Sequence, residues 1–364
     1  MFSITACDTT TRARSGSINT AHGPIRTPFY MPVATKGALK YANTPDIQGY
    51  DCFISNALIQ SFTPGLDVIR AAGGLHAFTG WDRCITTDSG GFQLLSQSFL
   101  VRTESKGAIF RNPFSGGKVL ITPERLVEIQ EILGSDIAMV LDDVLLPGAT
   151  HEQTFESMSK THEWARRCRA NHPGHNQLLF GIVQGGLFSD LREHSAKYIS
   201  SLGFDGHAIG GLAIGEPLDM MFKIIGSTIR HLPDDKPRYL MGVGSPTDIV
   251  KAIGEGVDMF DSTFPTRNAR HGTLFSFTGP IRICNERYKK DFSPIEEGCG
   301  CYTCSHHTRA FVHHLLRNNE PTGKRLATVH NLAFMRRLME ECREAIEQSR
   351  FKAFRDSFLA AFGN

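Results

Sequence analysis

The sequence predicts an α/β fold: a closed (β/α)8 TIM barrel of parallel strands with a C-terminal zinc-binding subdomain. Three observations predict it. Short apolar runs alternate with helical stretches about eight times up to Asp261. Polar, chemistry-bearing residues fall at the C-terminal ends of successive runs, the edge where such barrels build their sites. Past Asp261 the alternation stops, and Cys299, Cys301 and Cys304 follow in Cys-x-Cys-x-x-Cys spacing. The organisation read from this is a catalytic barrel over 1–270, a zinc-binding subdomain over 271–331, and a C-terminal helix over 332–364 that packs back on the barrel.

In chain order, strands are predicted over 29–33, 52–55, 84–87, 137–141, 178–183, 207–209, 238–241 and 259–261. Helices are predicted over 64–71, 123–133, 151–170, 187–202, 220–231 and 246–255. A doubly wound open sheet is the alternative; eight units favour closure. The region around 270–330 reads as a small β-rich subdomain. The tail from Asn331 reads as a helix, because Leu332, Met335, Met339, Cys342 and Ile346 recur at three-and-four spacing. Gly242-Val243-Gly244-Ser245-Pro246 lacks the third glycine of a dinucleotide fingerprint and reads as a closely packed loop.

Composition narrows the class. A chain of 364 residues with 41% hydrophobic and 21% charged residues suits an ordinary globular protein. No run approaches the ~20 apolar residues of a membrane helix. The first residues lack a basic-then-apolar signal pattern, so a cytoplasmic protein without a membrane partner is expected. A net charge of +2 neither demands nor excludes a nucleic acid. Between Asp261 and Lys290, however, six Lys or Arg stand against two acids, which suits a phosphodiester backbone as well as a solvated face.

Three thiols and one imidazole can close a tetrahedron on zinc, and a closed four-ligand site holds a fold together. Cys299, Cys301 and Cys304 are the expected thiolates, and His330 is the expected fourth ligand, for one structural zinc per chain. His306 and His307 are rivals, but they follow Cys304 so closely that the loop would be strained.

Two carboxylate motifs precede the cysteines. One is Thr87-Asp88-Ser89-Gly90-Gly91-Phe92-Gln93; the other is Asp258-Met259-Phe260-Asp261-Ser262-Thr263-Phe264-Pro265-Thr266-Arg267. On residues alone, Asp88 before Ser-Gly-Gly could equally cap a turn. In this order, and followed by the cysteine cluster, the motifs resemble the tRNA-guanine transglycosylases, also called queuine or preQ1 tRNA-ribosyltransferases, in their bacterial-type single-barrel form. The resemblance runs from about Ala21 to beyond His330. It implies a pentosyltransferase that exchanges guanine at the tRNA wobble position for a 7-deazaguanine. It assigns Asp261 as nucleophile and Asp88 as general acid and base. It also implies a tRNA anticodon loop and a free deazaguanine base as partners, a homodimer, and no nucleotide cofactor.

The base pocket follows from what guanine offers. Its N1–H and amino group need a carboxylate acceptor, and its O6 needs donors. Asp142 in Leu-Asp-Asp-Val suits the first; Gln184 and a backbone amide near Gly211 and Leu212 suit the second, with Ser89 and Asn56 as further contacts. Phe92 and Met241 either sandwich the base or pack in the core. Arg267 and Arg270 match family positions that grip the anticodon loop; structural ion pairs are the other reading. Two departures stand out. Asn56-Ala57-Leu58-Ile59-Gln60 replaces the family's Asn-Thr-Tyr-His-Leu, and Ser245 replaces a lysine. Ile214 stands where bacterial members carry Val and eukaryotic members Gly, which predicts preQ1 over queuine; Val144 resembles the eukaryotic form. A non-catalytic RNA-binding paralogue and the same chemistry on another nucleic acid are the alternatives.

Overall fold

The computed structural model describes residues 2–90, 99–174 and 176–362. Eight parallel strands form one sheet: Phe29–Pro32, Cys52–Asn56, Cys84–Asp88, Ile137–Met139, Leu178–Val183, Gly206–Ile209, Arg238–Leu240 and Met259–Ser262. From the second strand on, each pairs with the next in sequence, and the eighth pairs with the first. A parallel bridge between Val33 and Ile54, with Ala34 N–H donating to the Ile54 carbonyl at 2.7 Å, completes the ring. The barrel is therefore closed, as expected, and not an open sheet.

The strands are buried along nearly their whole length, which is why they read as continuous apolar runs and not as alternating ones. The predicted helices are all present. Pro123–Leu133 starts on a Thr122 cap, and His151–Asn171 starts on a capping box between Thr150 and Gln153. Ser189–Ser201, Leu218–Ile229 and Pro246–Gly254 complete the ring on the later strands.

Three parts differ from the sequence reading. Phe2–Cys7, Arg14–Thr20 and Gly23–Thr27 form an antiparallel sheet that joins the N-terminal ends of the barrel strands. Arg14 anchors it there, donating to both Asp258 carboxylate oxygens at 3.0 and 2.6 Å and to the carbonyls of Asp234 and Lys236. A second antiparallel sheet, Leu100–Glu104, Gly107–Arg111 and Lys118–Ile121, is inserted after the third barrel strand. The strands of the first sheet are rich in Ser, Thr and Gly and carry little apolar signal, and those of the second are only four or five residues long.

The third difference is the cysteine-bearing region. It was expected to be β-rich, but it holds one ribbon, Thr273–Leu274 with Ile281–Arg282, and is otherwise mainly helical. Its small core of Leu274, Ile281, Ile283, Ile295 and Val312 is completed by Leu326 and Ala327 from the helix Pro321–Glu347. That helix begins ten residues before the expected tail helix at Asn331 and crosses the 331/332 boundary unbroken. Asn331 itself is fully buried, accepting from Phe275 N–H and donating to the carbonyls of Pro265 and Thr273. Leu332, Met335, Met339, Cys342 and Ile346 of this helix lie in the main hydrophobic core together with the barrel strands. The chain ends in a further helix, Phe351–Phe362, whose Phe354, Phe358 and Phe362 stack in series. No described helix is long and apolar enough to cross a membrane.

Candidate active site

The C-terminal ends of the strands converge on one cavity. It is lined by Ile54, Asp88, Ser89, Asp142, Val144, Gly210, Gly211, Leu212, Tyr239, Met241, Gly242 and Asp261. Seven of these were expected from the sequence: Asp88, Ser89, Asp142, Gly211, Leu212, Met241 and Asp261. Each stands at or just past a strand end, where the register fixes it; Asp88, for instance, closes the third strand opposite Asn56 of the second.

The three carboxylates sit in different surroundings. Asp261 accepts from the Tyr239 hydroxyl at 2.5 Å and the Gly242 N–H at 2.8 Å, both at Oδ1. Burial pushes its carboxyl up, while these two donors favour the ionised form. Asp88 accepts from Gly90 N–H at 3.1 Å. Burial first, and then the charge of Asp261, push Asp88 up to about 8, against the pull of backbone amides. Of this pair Asp88 therefore holds the proton at neutral pH, since Asp261 has the phenol and Asp88 does not. Asp142 is raised to about 6 by burial, opposed by its hydrogen bonds. Its Oδ1 accepts from Ser89 Oγ at 3.0 Å and its Oδ2 from Gln184 Nε2 at 2.8 Å. Gln184 thus spends an amide hydrogen on Asp142 in this state, where the sequence reading had it aimed at a base.

Gln184 lies against two glycines. A Cβ on Gly210 would stand 2.7 Å from its amide nitrogen, and one on Gly211 would stand 2.4 Å from its amide oxygen. Gly211 also has φ +67°, so both space and backbone demand glycine there.

Asn56 caps the helical turn Ala57–Gln60 by accepting from Ile59 N–H at 2.8 Å. In this altered segment Leu58 is buried against Gly90, beside Asp88, and Gln60 donates to Ser55 Oγ. Ile214 does not line the carboxylate cavity. It borders a neighbouring one with Leu145, Leu146, Phe188 and Glu216, and the two cavities share Gly211. Arg267 and Arg270 lie on the helix Phe264–Arg270 directly after the strand of Asp261, Arg267 exposed and Arg270 half-buried. Phe92 lies outside the described residues.

Sequence reasoning missed Tyr239. A signal existed: it stands in the seventh strand two residues before Met241, which directly follows the strand, and alternate residues of an extended run share a face. Gly242 was noted only as part of a packed loop, yet its amide reaches Asp261.

The cysteine cluster assembles away from this cavity. The ligand atoms of Cys299, Cys301, Cys304 and His330 all lie within 4.8 Å of one another, close enough to hold one metal ion. His330 Nδ1 is 3.6 Å from Cys301 Sγ and 3.3 Å from Cys304 Sγ, and its Nε2 meets the Phe275 carbonyl at 2.7 Å. A second hydrogen bond of this kind fixes which nitrogen of a ligating histidine faces the metal. His306 instead contacts the Tyr302 carbonyl, and His307 stacks on Phe311, so neither joins the cluster.

Comparison with known proteins agrees with this architecture. The family model described as queuine tRNA-ribosyltransferase matches residues 7–364. A queuine tRNA-ribosyltransferase of Thiobacillus denitrificans is 48% identical over 350 residues, covering 96% of this chain and 95% of the relative. That of Bacillus subtilis is 46% identical over 356 residues, 97% and 93% of the two chains. That of Pelotomaculum thermopropionicum is 45% identical over 363 residues, 99% and 98%. The chain belongs to the queuine tRNA-ribosyltransferase family, whose members are pentosyltransferases acting on tRNA.

Proposed function

We propose that this member of the family exchanges guanine at the tRNA wobble position for a 7-deazaguanine by double displacement through a ribosyl-Asp261 ester. Asp261 attacks C1′ of the target ribose, and the C1′–N bond breaks with its electron pair leaving on guanine. Asp88 donates a proton to the departing base. After exchange, Asp88 takes a proton from the incoming base as that base displaces Asp261 from C1′. The same division between nucleophile and proton carrier serves retaining glycosidases. The observation that carries the reading is the unequal pair: one buried carboxylate held by a phenol and an amide, the other raised to about 8 in the same cavity.

In this reading Asp142 accepts from guanine N1 and N2, while Gln184 and the amides near Gly211 and Leu212 serve O6. Met241 packs on the base plane, with Phe92 as its expected counterpart. Asn56 and Ser89 hold the Asp88 and Asp142 loops. Binding the base requires Ser89 and Gln184 to share the Asp142 oxygens with it, which their spare lone pairs allow. Arg267 and Arg270 grip the anticodon loop, whose target nucleotide must leave its stack. Ile214 borders the space beside the base, so preQ1 is favoured over queuine. The Cys299, Cys301, Cys304 and His330 donors suit one structural zinc, and a cytoplasmic homodimer is the expected working form.

The test is direct. The protein is incubated with tRNA carrying labelled guanine and with guanine, preQ1 or queuine in turn. Label release with preQ1 in excess of queuine is expected; no release with any base would overturn the reading.

A further inference from the structure

Beneath the base pocket lies an arginine that the chemistry above does not use. Arg192, near the start of the helix Ser189–Ser201, is 0% exposed. Its Nη1 donates to the carbonyls of Val183 at 3.0 Å and Gly210 at 2.8 Å, and its Nε donates to Gly186 at 2.8 Å. Val183 directly precedes Gln184, and Gly210 directly precedes Gly211. One guanidinium thus ties the ends of the fifth and sixth strands and closes the turn over 184–186. The turn also packs tightly on the start of the helix: a Cβ on Gly185 would stand 2.8 Å from the Arg192 backbone nitrogen.

The three carbonyls use Nε and Nη1 of the guanidinium and leave Nη2 over. Among the described residues Arg192 makes no ion pair, and its Nη2 is buried without a hydrogen-bond partner. Burial lowers it to about 9, with Glu216 the opposing charge. Burying a cation without a counter-ion is costly, and an apolar side chain here would avoid that cost only by leaving the three carbonyls without this donor. Nη2 lies 3.6 Å from where a Gly211 side chain would begin, so this charge sits under the pocket floor.

We infer that Arg192 is a positioning residue for base recognition: it sets Gln184 and Gly210–Gly211 at the spacing that the O6 edge of the base requires. The inference rests on the proposed base pocket. It separates binding of the base from binding of the RNA, because the hydrogen bonds of Arg192 among the described residues go to Gly186, Val183 and Gly210, beside Gln184 and Gly211, and none goes to the helix of Arg267 and Arg270.

The experiment uses the full chain and two variants, Arg192→Lys and Arg192→Met. Melting temperature is measured first, then guanine affinity by calorimetry and tRNA affinity by filter binding. Lysine keeps the charge but cannot reach three carbonyls in a fork; methionine keeps the volume without the charge. In variants that remain folded, guanine binding should weaken at least about tenfold, more for Met than for Lys, while tRNA affinity changes less than twofold. Added guanidinium ion should restore guanine binding partly in Arg192→Met and not in Gln184→Ala. Guanine affinity within twofold of the parent in a folded variant would overturn the inference, as would equal losses for guanine and tRNA. If Arg192→Met fails to fold, Arg192→Lys decides by the same criterion. A parent protein that binds no guanine would instead overturn the pocket assignment itself.

Discussion

The two ends of the eighth strand treat the same side chain in opposite ways. At the N-terminal end, Asp258 is clamped by Arg14 through both oxygens and also accepts from Arg238 N–H at 2.7 Å. Nearby, Asp136 accepts from His22 Nδ1 at 2.8 Å, His76 Nε2 at 3.0 Å and Ile85 N–H at 2.8 Å, and these bonds hold its carboxyl low against burial. At the C-terminal end, three positions along the strand, Asp261 receives only a phenol and an amide, and neither it nor Asp142 makes an ion pair among the described residues. The closed end surrounds its carboxylates with hydrogen-bond donors, and at Asp258 the Arg14 guanidinium opposes the upward push of burial, which makes these carboxylates structural. The open end withholds cations, which keeps its carboxylates basic and able to react. Asp258, three residues before Asp261, is held by the Arg14 clamp at the far end of the strand and does not line the carboxylate cavity.

The contrast breaks first at Asp261. Asp261→Asn should lower exchange by roughly ten-thousand-fold and abolish any denaturation-resistant RNA adduct on gels. An adduct surviving in this variant would show that reactivity does not follow the division between the ends. Asp88→Asn comes next, with a loss of roughly a hundred- to ten-thousand-fold in turnover but slow adduct formation retained. The same substitution should alter stability. Asp88 is raised when folded, so its contribution is fully present below the unfolded value and is lost as pH rises toward 8. Denaturant melts of Asp88→Asn should therefore lose less stability than the parent between pH 5 and 8; parallel curves would mean Asp88 is not raised.

At the closed end the expected loss is in stability. Arg14→Met alone should cost roughly 3–5 kcal/mol by leaving Asp258 buried and unpaired, and Arg14→Met with Asp258→Leu should recover much of it. Equal damage in the single and double variants would contradict the pairing account. The pH profile of kcat/KM for tRNA sharpens the other side. Asp142 must be ionised to accept from guanine, so the rate should fall below about 6; Asp88 must be protonated to donate, so it should fall above about 8. Asp142→Asn should lower kcat/KM at every pH and alter the acid limb, while the basic limb set by Asp88 stays in place. The smallest effect concerns the RNA face. Arg267→Ala and Arg270→Ala should each flatten the salt dependence of tRNA binding by about one unit of slope and leave guanine affinity unchanged. An unaltered slope in the double variant would take these residues off that face.

The barrel was legible because its strands are buried on both sides and its helices carry caps and apolar stripes, all local properties of the chain. The carboxylates were legible because barrel strands end in short loops, which leaves a polar residue there at the rim. The cysteine cluster, too, could be read from spacing, and His330 was selected over its closer rivals by the strain a short loop would impose. The helical make-up of the cysteine-bearing region was hidden, since its core is built partly from Leu326 and Ala327 on a helix that also belongs to the barrel. The two antiparallel sheets were hidden because their strands are short and, in the first, rich in Ser, Thr and Gly. Sequence by itself therefore determined which residue types stand at each strand end. Only the tertiary structure decided their protonation and partners: that Tyr239 holds Asp261, that Gln184 meets Asp142, that Arg192 ties two strands, and that Arg14 closes on Asp258. The physical reason is that burial and charge proximity depend on residues far apart in the chain, and no local pattern records them.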